Sequence, residues 1–403
     1  MKGKDIIVVG IQPWDIAIGS NCKNIAEEFA KNNRVLYVNA PLDRATLKYE
    51  RNTEKTQKRL KILKGELPDI YQIQASLWTL YPRTKIESIN LLPGCFIYDL
   101  LNKRNSRLFA NQILDAAKRL EFKDFILFND SLMFMGIHLK ELLKPKLYIY
   151  YMRDFLTKHP YWKKHGVRLE PQLIKTADLV VNNSTLYAEY GARFNKHSYM
   201  VGQGCDTSLF NDELRTINIA ADLMQIPKPM VGYVGFLSSR RLDIKLLEKI
   251  AVELSTWSLV LVGPEDEEFV QSKLHTLPNV YFLGSREPEK LPDYIKGFDV
   301  AINPQLINDA TMGNYPRKID EYLALGKPTV GSATKAMEYF KDVAYLANNH
   351  SDFVELIKIA LTTDSAEKQA QRKMCALSHS WENNVNAIYA YAKLVANEKN
   401  ITI

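Results

Sequence analysis

The sequence predicts an α/β protein built from two open, mostly parallel β-sheets that follow each other along the chain. Short apolar runs rich in Val, Ile, Leu and Tyr alternate with amphipathic helical segments, which is the pattern of βαβ units. A polar, irregular stretch divides this alternation into two similar halves. The 403 residues also suit two domains of about 200 residues each. We therefore expect a first domain at 1–210, a linker at 211–228, a second domain at 229–380 and a final helical segment at 381–403.

The first half begins with a strand rather than a signal peptide, because the apolar core of residues 1–10 is too short for a signal peptide. Five short, β-rich apolar runs predict strands at Ile6–Gly10, Val35–Val38, Phe125–Phe128, Leu147–Tyr151 and Leu179–Val181. The segments between them place apolar residues three and four apart, and they predict helices at Asn24–Lys31, Leu108–Leu120, Phe134–Leu142 and Pro171–Thr176.

The second half repeats the alternation. Its predicted strands are Met230–Val234, Leu259–Val262, Val280–Leu283, Val300–Ile302 and Thr329–Val330. Its predicted helices are Asp243–Leu254, Glu267–His275, Glu287–Ile295, Arg317–Leu325 and Asp352–Thr362. A last helix, from Trp381 to about Asn397, follows the second sheet and is expected to return to the first domain. Two such sheets in tandem would place a ligand cleft at the carboxyl ends of their strands.

Composition narrows the class of protein. An apolar content of 46% and a charged content of 25% are those of an ordinary soluble globular protein. No run of about 18 apolar residues occurs, so no membrane span is expected. The four cysteines have no paired spacing, and no two histidines have metal-ligand spacing. We therefore expect a cytoplasmic protein with no metal site and no cofactor.

Charge is distributed unevenly along the chain. Residues 1–210 hold 32 Lys and Arg against 21 Asp and Glu, a net charge of +11, whereas the remainder holds 21 against 25, a net charge of −4. The basic excess is densest at residues 44–64, and Trp78–Lys85 and the apolar run Leu91–Tyr98 follow it. This pattern suits either a solvated basic face or peripheral contact with the anionic inner face of a cell membrane. No nucleic-acid-binding motif accompanies it, so nucleic acid is not expected as a partner.

The most informative segment is Asn314–Pro328, a short predicted helix with signals at both ends. Pro316 suits the first helical position, and Gly326 suits the position just past the last turn. Lys318 and Glu321 share a face outside the apolar stripe of this helix. A lysine in the first turn opposes the helix dipole unless an anion binds there as well. A surface Lys–Glu pair is the alternative interpretation.

Glycines follow three of the predicted strands in the second half. Gly235 and Phe236 lead to Arg240 and Arg241 at the start of the next helix, where a diphosphate would explain two adjacent cations. The other two strand ends carry Gly263-Pro264 and Gly284-Ser285-Arg286. Glycine lets a ligand approach the backbone closely. The chain contains neither the Gly-x-Gly-x-x-Gly fingerprint of dinucleotide oxidoreductases after a strand nor a Gly-Lys-Ser/Thr phosphate loop.

These motifs resemble retaining, two-domain glycosyltransferases of the family-four type, also called glycosyl transferases group 1. The resemblance is strong over about 177–385 and rests on Val231–Phe236 with Arg241-Leu242-Asp243, on Leu259–Pro264, on Leu277–Gly284, on Asn308-Asp309-Ala310-Thr311, on Pro316-x-Lys318-x-x-Glu321-Tyr322-Leu323-Ala324-x-Gly326-x-Pro328 and on His379–Glu382. It implies the GT-B fold, in which two Rossmann-like domains face a central cleft and a C-terminal helix crosses back to the first domain.

The resemblance also implies roles for individual residues. Glu321 matches the carboxylate that binds the ribose hydroxyls of a nucleotide-sugar, and Arg241 and Lys318 match the cations on its diphosphate. The other positions implied for donor binding are Gly235, Phe236, Arg240, Gly263, Pro264, Gly284, Arg286, Thr311, Tyr315 and Pro316. Many relatives carry a further glutamate eight residues before Glu321, where this chain has Gly313. The implied reaction is sugar transfer with retention of anomeric configuration, in capsule, exopolysaccharide or lipopolysaccharide assembly.

The acceptor side is expected after the strands of the first domain. Trp14, Asp15, Arg153, Asp154 and His159 follow two predicted strands there, and ordinary loop roles explain them equally well. The expected partners are a nucleotide-sugar donor and a lipid-linked or saccharide acceptor. Two alternatives remain from the sequence: an epimerase-like enzyme of the same fold, which modifies a nucleotide-sugar, and a nucleotide-sugar-binding protein without catalytic activity.

Overall fold

A computed structural model of the chain describes residues 1–16, 20–92, 96–206, 208–308 and 311–403. The chain divides into two compact units, of which the first comprises Met1–Gly202 with Asn384–Ile403 and the second Gln203–Asn383. Within the described ranges, no helix is both long enough and apolar enough to cross a bilayer.

The first unit is built on an eight-stranded sheet with the strand order β10-β9-β8-β7-β1-β2-β5-β4. All neighbours in this sheet are parallel except β4 and β5, and a separate parallel pair joins β3 to β6. The strands are β1 Asp5–Gly10, β2 Arg34–Val38, β3 Leu42–Asp43, β4 Ile70–Gln74, β5 Leu77–Leu80, β6 Lys85–Ile86, β7 Ile126–Asp130, β8 Leu147–Met152, β9 Leu179–Asn182 and β10 Ser198–Met200.

Eight helices cover this sheet. They are α1 Asn21–Ala30, α2 Arg44–Tyr49, α3 Glu54–Leu63, α4 Phe96–Arg119, α5 Met133–Gly136, α6 Leu139–Leu143, α7 Pro160–Thr176 and α8 Thr185–Ala192. The main core packs α4, α5, α6, α7 and α8 against β1, β2, β7 and β8, whose side chains are almost fully buried.

The five strands expected in the first half are confirmed, but three of the helices differ from the prediction. Helix α4 begins twelve residues before the expected Leu108. The apolar spacing did not predict these early turns, because polar side chains occupy part of their buried face. Helix α7 begins at Pro160, and Pro171 lies inside it rather than at its start. The expected helix at Phe134–Leu142 is two short helices, α5 and α6.

The second unit contains a six-stranded, fully parallel sheet with the order β13-β12-β11-β14-β15-β16. Its strands are β11 Met230–Val234, β12 Ser258–Val262, β13 Val280–Gly284, β14 Val300–Asn303, β15 Thr329–Ser332 and β16 Tyr345–Ala347. Its helices are α9 Ile244–Glu253, α10 Glu267–Val270, α11 Leu291–Gly297, α12 Lys318–Ala324, α13 His350–Thr362, α14 Ala366–Ser378 and the start of α15 Trp381–Glu398. The five strands expected here are confirmed, whereas β16 and α14 were not expected.

Helix α15 begins in the second unit, and its residues from Asn384 onward belong to the first. There the Tyr389 ring stacks on Phe29 at 5.6 Å between ring centroids, and the Tyr389 hydroxyl accepts a hydrogen bond from the Asn33 amide at 2.8 Å. These contacts hold the last helix against α1 and the loop that follows it.

The carboxyl ends of β11 and β12 meet very closely. The Gly235 N–H donates to the Val262 carbonyl at 2.8 Å, and a Cβ added at Gly263 would lie 2.0 Å from the Gly235 carbonyl oxygen. Gly263 also has a φ of +150°, so a side chain there would be excluded by backbone and strained as well. Helix α12 is fastened to the same place, because the Val234 N–H donates to the Tyr322 hydroxyl at 3.0 Å.

Candidate functional site

A pocket of about 380 Å³ opens at the carboxyl ends of β11 and β14, beside the start of α12. We call it the α12 pocket. From β11 the chain continues to β12 on one side of the sheet, and from β14 it continues to β15 on the other side. Open α/β sheets bind ligands at such a switch point. The residues that line it are Tyr233, Val234, Gly235, Phe236, Arg241, Leu242, Leu291, Asn303, Gln305, Asn314, Tyr315, Pro316, Arg317, Lys318 and Glu321.

Lys318 is the first residue of α12, and its ammonium group lies over the Tyr233 ring, 4.3 Å from the ring centroid. The same Nζ donates to the Tyr233 hydroxyl at 2.6 Å. Within the described residues, no carboxylate oxygen lies within 4.0 Å of Lys318 or of Arg241. The expected cations are therefore both in the pocket, and neither is neutralised by an ion pair there.

Glu321 lies one turn further along α12. Its side chain is 15% exposed, and its Oε1 is 3.7 Å from the Nε of Arg317. Burial raises the pKa of Glu321, while the charges of Arg317 and Lys318 oppose that shift. The surface Lys318–Glu321 ion pair of the alternative interpretation is absent from this part of the chain, since the carboxylate is paired with Arg317 instead.

Arg241 is placed by the loop between β11 and α9. Its N–H donates to the Ser238 carbonyl at 2.9 Å, and its carbonyl accepts from the Leu306 N–H at 2.8 Å. The backbone on both sides is therefore fixed, while the guanidinium remains exposed. Arg240 is also exposed but does not line the pocket, which favours Arg241 as the cation for an anionic ligand.

Four other residues expected to bind a donor line the α12 pocket: Gly235, Phe236, Tyr315 and Pro316. Five further residues lie outside its lining. Gly263 and Pro264 act through the backbone, because the Pro264 carbonyl accepts from the Leu237 N–H at 2.8 Å. At the end of β13, Gly284 is followed by Arg286, which pairs with Asp222 at 3.0 Å.

Thr311 is the fifth of these residues, and it closes the turn before α12. Its N–H donates to the Asn308 Oδ1 at 3.1 Å, and its hydroxyl donates to the Leu306 carbonyl. Its side chain is buried. The motif residues Asp309 and Ala310 lie outside the described residues. Thr311 thus shapes the loop that leads to Tyr315 and Pro316.

Several pocket residues were not expected from the sequence: Tyr233, Asn303, Gln305, Asn314 and Arg317. Asn303 is 2% exposed and Gln305 is 6% exposed. Among the described residues, the Asn303 Nδ2 and the Gln305 Oε1 have no hydrogen-bond partner. Buried amide groups are rarely left unpaired, because each costs roughly 1–3 kcal/mol. Two such atoms belong to residues that line the α12 pocket.

A buried charged pair supports the pocket from behind. The Asp320 carboxylate is fully buried, its Oδ2 accepts from the Tyr315 hydroxyl at 2.8 Å, and its Oδ1 is 2.7 Å from the His379 Nδ1. Burial alone would lower the pKa of His379, but its hydrogen bond with Asp320 raises it to about 9. The protonated imidazole therefore balances the Asp320 charge, and Asp320 in turn holds the Tyr315 ring in the pocket wall.

The residues expected on the acceptor side lie in the first unit. Trp14 packs edge-on against Tyr37 at 5.1 Å between ring centroids, and Asp15 pairs with Arg59 at 3.5 Å. Arg153 is buried and pairs with Asp130 at 2.8 Å and with Asp154 at 3.1 Å.

His159 is exposed at the N-cap position of α7 and makes no capping hydrogen bond with its side chain. No role for these five residues follows from their contacts. Across the described ranges, no three His, Cys, Asp or Glu side chains are grouped closely enough to hold a metal ion.

Comparison with known proteins gives a family for part of the chain. Residues 228–363 match the family model described as glycosyl transferases group 1. This segment is a glycosyl transferases group 1 domain. A stretch of 171 residues is 28% identical to the "Putative teichuronic acid biosynthesis glycosyltransferase TuaH" of Bacillus subtilis (strain 168). The match covers 40% of this chain and 42% of that relative, so it spans less than half of either protein.

Solved structures match nearly the whole chain. Sucrose-phosphate synthase from Thermosynechococcus elongatus superposes with a TM-score of 0.66 at 15% identity, over 98% of this chain and all of that one. Anabaena HepE in complex with UDP gives a TM-score of 0.65 at 14% identity, over 98% of this chain and 100% of that one. A trehalose 6-phosphate synthase from Burkholderia multivorans gives 0.68 at 11% identity, over 99% and 100%. These likenesses confirm the predicted fold class, the α/β fold of GT-B glycosyltransferases.

We expect the His379–Asp320 pair to make stability depend on pH. The pKa of His379 is about 9 in the folded chain, against an ordinary 6.5 when it is unfolded. A raised histidine pKa contributes stability that is fully present below the unfolded value and is lost as the pH rises through the folded value. His379→Gln should therefore cost on the order of 3 kcal/mol near pH 6 and much less near pH 10.

Urea unfolding of the wild type and His379→Gln across this pH range measures the effect. His275→Gln is the matched control, because His275 is a more exposed histidine that also pairs with a carboxylate, Glu265 at 2.8 Å. A difference between wild type and His379→Gln that stays constant with pH would show that His379 is neutral in the folded chain.

Proposed function

We propose that the chain is a glycosyltransferase that moves a sugar from a nucleotide-diphosphate-sugar to a lipid-linked or polysaccharide acceptor. We infer that transfer retains the anomeric configuration of the sugar and serves the assembly of a capsule, an exopolysaccharide or a lipopolysaccharide. Peripheral contact of the first unit with the anionic inner face of a membrane is part of this proposal. The TuaH match and the group 1 domain support the transferase class.

One observation carries the proposal. Within the part of the chain that the structure describes, the α12 pocket combines two cations without carboxylate partners, one carboxylate and two buried amide side chains that each have an unpartnered polar atom. A nucleotide-diphosphate-sugar offers a matching set of groups. Its diphosphate suits Lys318 and Arg241, and its hydroxyls suit Glu321, Asn303 and Gln305. Solved structures of Anabaena HepE, with a similar fold, hold UDP and UDP-glucose.

In the proposed reaction, the bond between the sugar C1 and the diphosphate oxygen loosens, and negative charge collects on the departing phosphate. Lys318 and Arg241 would stabilise that charge from positions set before the reaction, which is the largest catalytic contribution in many enzymes. The acceptor hydroxyl attacks C1 from the face that the diphosphate leaves, and its proton passes to the departing phosphate. We propose that neither a protein base nor a metal ion is required for this step.

Glu321 would bind rather than react. Its carboxylate is fixed by Arg317 at 3.7 Å and lies one turn below Lys318, where it could accept hydrogen bonds from two vicinal ribose hydroxyls. Gly313 stands where many relatives have a first glutamate, so the sugar hydroxyls need other partners in this chain. The unpaired amides of Asn303 and Gln305 are such partners.

Replacing Lys318 or Glu321 by Ala should abolish donor binding and transfer without unfolding the chain. Neither residue lies in the apolar core, so we expect a nearly unchanged Tm and a loss of transfer of roughly 100-fold or more for Lys318→Ala. Lys335→Ala and Glu338→Ala are matched controls, since these residues are likewise a Lys and a Glu three apart, ion-paired at 2.9 Å, and lie outside the α12 pocket.

Two measurements test this expectation. Thermal unfolding with UDP, GDP and ADP identifies the nucleotide, because a ligand at a hundredfold excess over its Kd stabilises by about 2.7 kcal/mol. Label transfer from nucleotide-sugars to a membrane extract tests activity, and the anomeric configuration of the product tests retention.

Interconversion of the nucleotide-sugar without an acceptor would indicate the epimerase-like enzyme, and binding without any turnover would indicate a non-catalytic binding protein.

Gln305→Met should separate stability from donor binding. The change removes the buried Oε1, which has no hydrogen-bond partner among the described residues, and keeps the length of the side chain, so we expect the Tm to stay the same or to rise. Donor affinity should fall by about tenfold, because one hydrogen bond to the ligand is lost. Calorimetric titration with the nucleotide-sugar measures this, with Gln369→Met on the exposed face of α14 as the control. A lower Tm with unchanged affinity would contradict the assignment.

A further inference from the structure

The first three turns of α4 bury several polar side chains beside Tyr98 and expose large apolar ones. The buried face carries Asn102, Asn105 and Ser106, whose side chains bond to the carbonyls of neighbouring segments. The outer face carries Phe96 and Leu100, which are 81% and 63% exposed. A helix that faces only water has the opposite arrangement, because apolar side chains gain by burial. The exposed apolar side chains of α4 therefore need an explanation outside the first unit.

These side chains belong to a larger apolar surface. We define the α4–α7 surface as Leu91, Phe96, Ile97, Leu100 and Tyr161, which are 55% to 85% exposed. Pro93–Cys95, part of the apolar run noted in the sequence, lie outside the described residues. Five large apolar side chains exposed together on one small region mark an interaction site more often than a solvated face.

Contacts beneath the α4–α7 surface fix its parts to one another. The Tyr98 ring stacks on His165 at 3.7 Å between ring centroids, which joins the first turns of α4 and α7. The Asn90 amide donates to the Tyr161 carbonyl at 2.8 Å, and the Lys164 Nζ donates to the Leu91 carbonyl at 2.7 Å. The loop before α4 is thereby held against α7, so these apolar side chains stand on a single support.

Positive charge surrounds these apolar side chains. Residues 96–107 and 160–168, the first turns of α4 and α7, contain six Lys or Arg and one Asp: Lys103, Arg104, Arg107, Lys163, Lys164, Arg168 and Asp99. Three of the six cations have carboxylate partners, since Arg168 pairs with Asp99 at 2.5 Å, Arg104 with Glu87 at 3.7 Å and Lys103 with Glu141 at 4.0 Å. Among the described residues, Arg107, Lys163 and Lys164 have no carboxylate within 4.0 Å, and these three supply the net positive charge of the region. Burial lowers the pKa of His165, so this histidine adds no charge at neutral pH. An anionic partner is therefore favoured over a neutral one.

We propose that the α4–α7 surface rests on the anionic face of a lipid bilayer, with Phe96, Leu100 and Leu91 entering the boundary between headgroups and acyl chains. Aromatic and aliphatic side chains ringed by Lys and Arg are the pattern of proteins that lie on such membranes. This inference deepens the membrane contact of the proposed function and gives it a site. The sequence pattern that suits membrane contact comprises residues 44–64, Trp78–Lys85 and Leu91–Tyr98. Of these, the start of Trp78–Lys85 lies in β5, Leu77–Leu80, where Leu77 and Leu80 are buried, whereas Leu91, Phe96 and Ile97 are exposed.

Flotation with vesicles tests the docking directly. We expect the full chain to float with vesicles of equimolar phosphatidylglycerol and phosphatidylcholine, and to do so weakly with phosphatidylcholine alone or at high salt. The double variant Phe96→Ser with Leu100→Ser should bind the anionic vesicles with an affinity about tenfold lower, or lower still. Met374→Ser with Leu377→Ser is the matched control, since it also removes two exposed apolar side chains, from α14, and should bind as the wild type does.

Several outcomes would overturn the proposal. They are absence of wild-type flotation, equal flotation of the Phe96 and Leu100 variant, and equal binding to phosphatidylcholine vesicles. Light scattering tests whether a second copy of the chain covers this surface instead. If the wild type is a dimer that does not bind vesicles, and the Phe96 and Leu100 variant is a monomer, the surface is a dimer interface. UDP stabilisation is measured on every variant and requires no membrane, so a failure of docking and a failure of donor binding remain distinguishable.

Discussion

The hydrogen bond from the Val234 N–H to the Tyr322 hydroxyl fastens α12, the helix that carries Lys318 and Glu321, to the carboxyl end of β11. It places Lys318 beside Gly235, where a Cβ would lie 3.1 Å from the lysine Nζ. The close approach of Gly235 and Gly263 lets β11 and β12 end together beneath this region. Because the backbone sets these positions, the charges on α12 are organised before any ligand arrives, as electrostatic stabilisation of a leaving diphosphate requires.

Charge around the α12 pocket is compensated in two different ways. Behind the pocket, Asp320 and His379 neutralise each other at 2.7 Å and keep the Tyr315 wall in place. Inside it, Lys318 rests on the Tyr233 ring, and Arg241 is exposed. A buried carboxylate needs its partner to be tolerated at all, whereas an exposed cation does not. Among the described residues, Asp320 and His379 are thus paired, whereas Lys318 and Arg241 have no carboxylate partner.

Much of the second unit follows from its sequence, for local reasons. Its first five strands are short apolar runs, most of them ended by Gly or followed by a helix cap, and α12 begins and ends close to its predicted bounds, with Gly326 in the left-handed region at φ +69°. Pocket positions for Arg241, Lys318 and Glu321 follow from the same pattern together with the family resemblance. Their roles in binding and transfer remain predictions.

The features that sequence patterns did not reveal depend on contacts between distant residues or on an unusual polarity pattern. Asp320 and His379 are 59 residues apart, and no local pattern pairs them. Asn303 ends β14 and Gln305 lies in the loop that follows, and single polar residues at such positions in most proteins have no special role. The early turns of α4 were missed because part of their buried face is polar, and β4 because most of its side chains are exposed.

A crystal structure of the chain with bound UDP would test the central claim most directly. We predict that the diphosphate lies within hydrogen-bond distance of the Lys318 ammonium and the Arg241 guanidinium, and that the ribose hydroxyls donate hydrogen bonds to the Glu321 carboxylate. UDP bound away from the α12 pocket, or bound there with Lys318 still directed only at the Tyr233 hydroxyl, would contradict it.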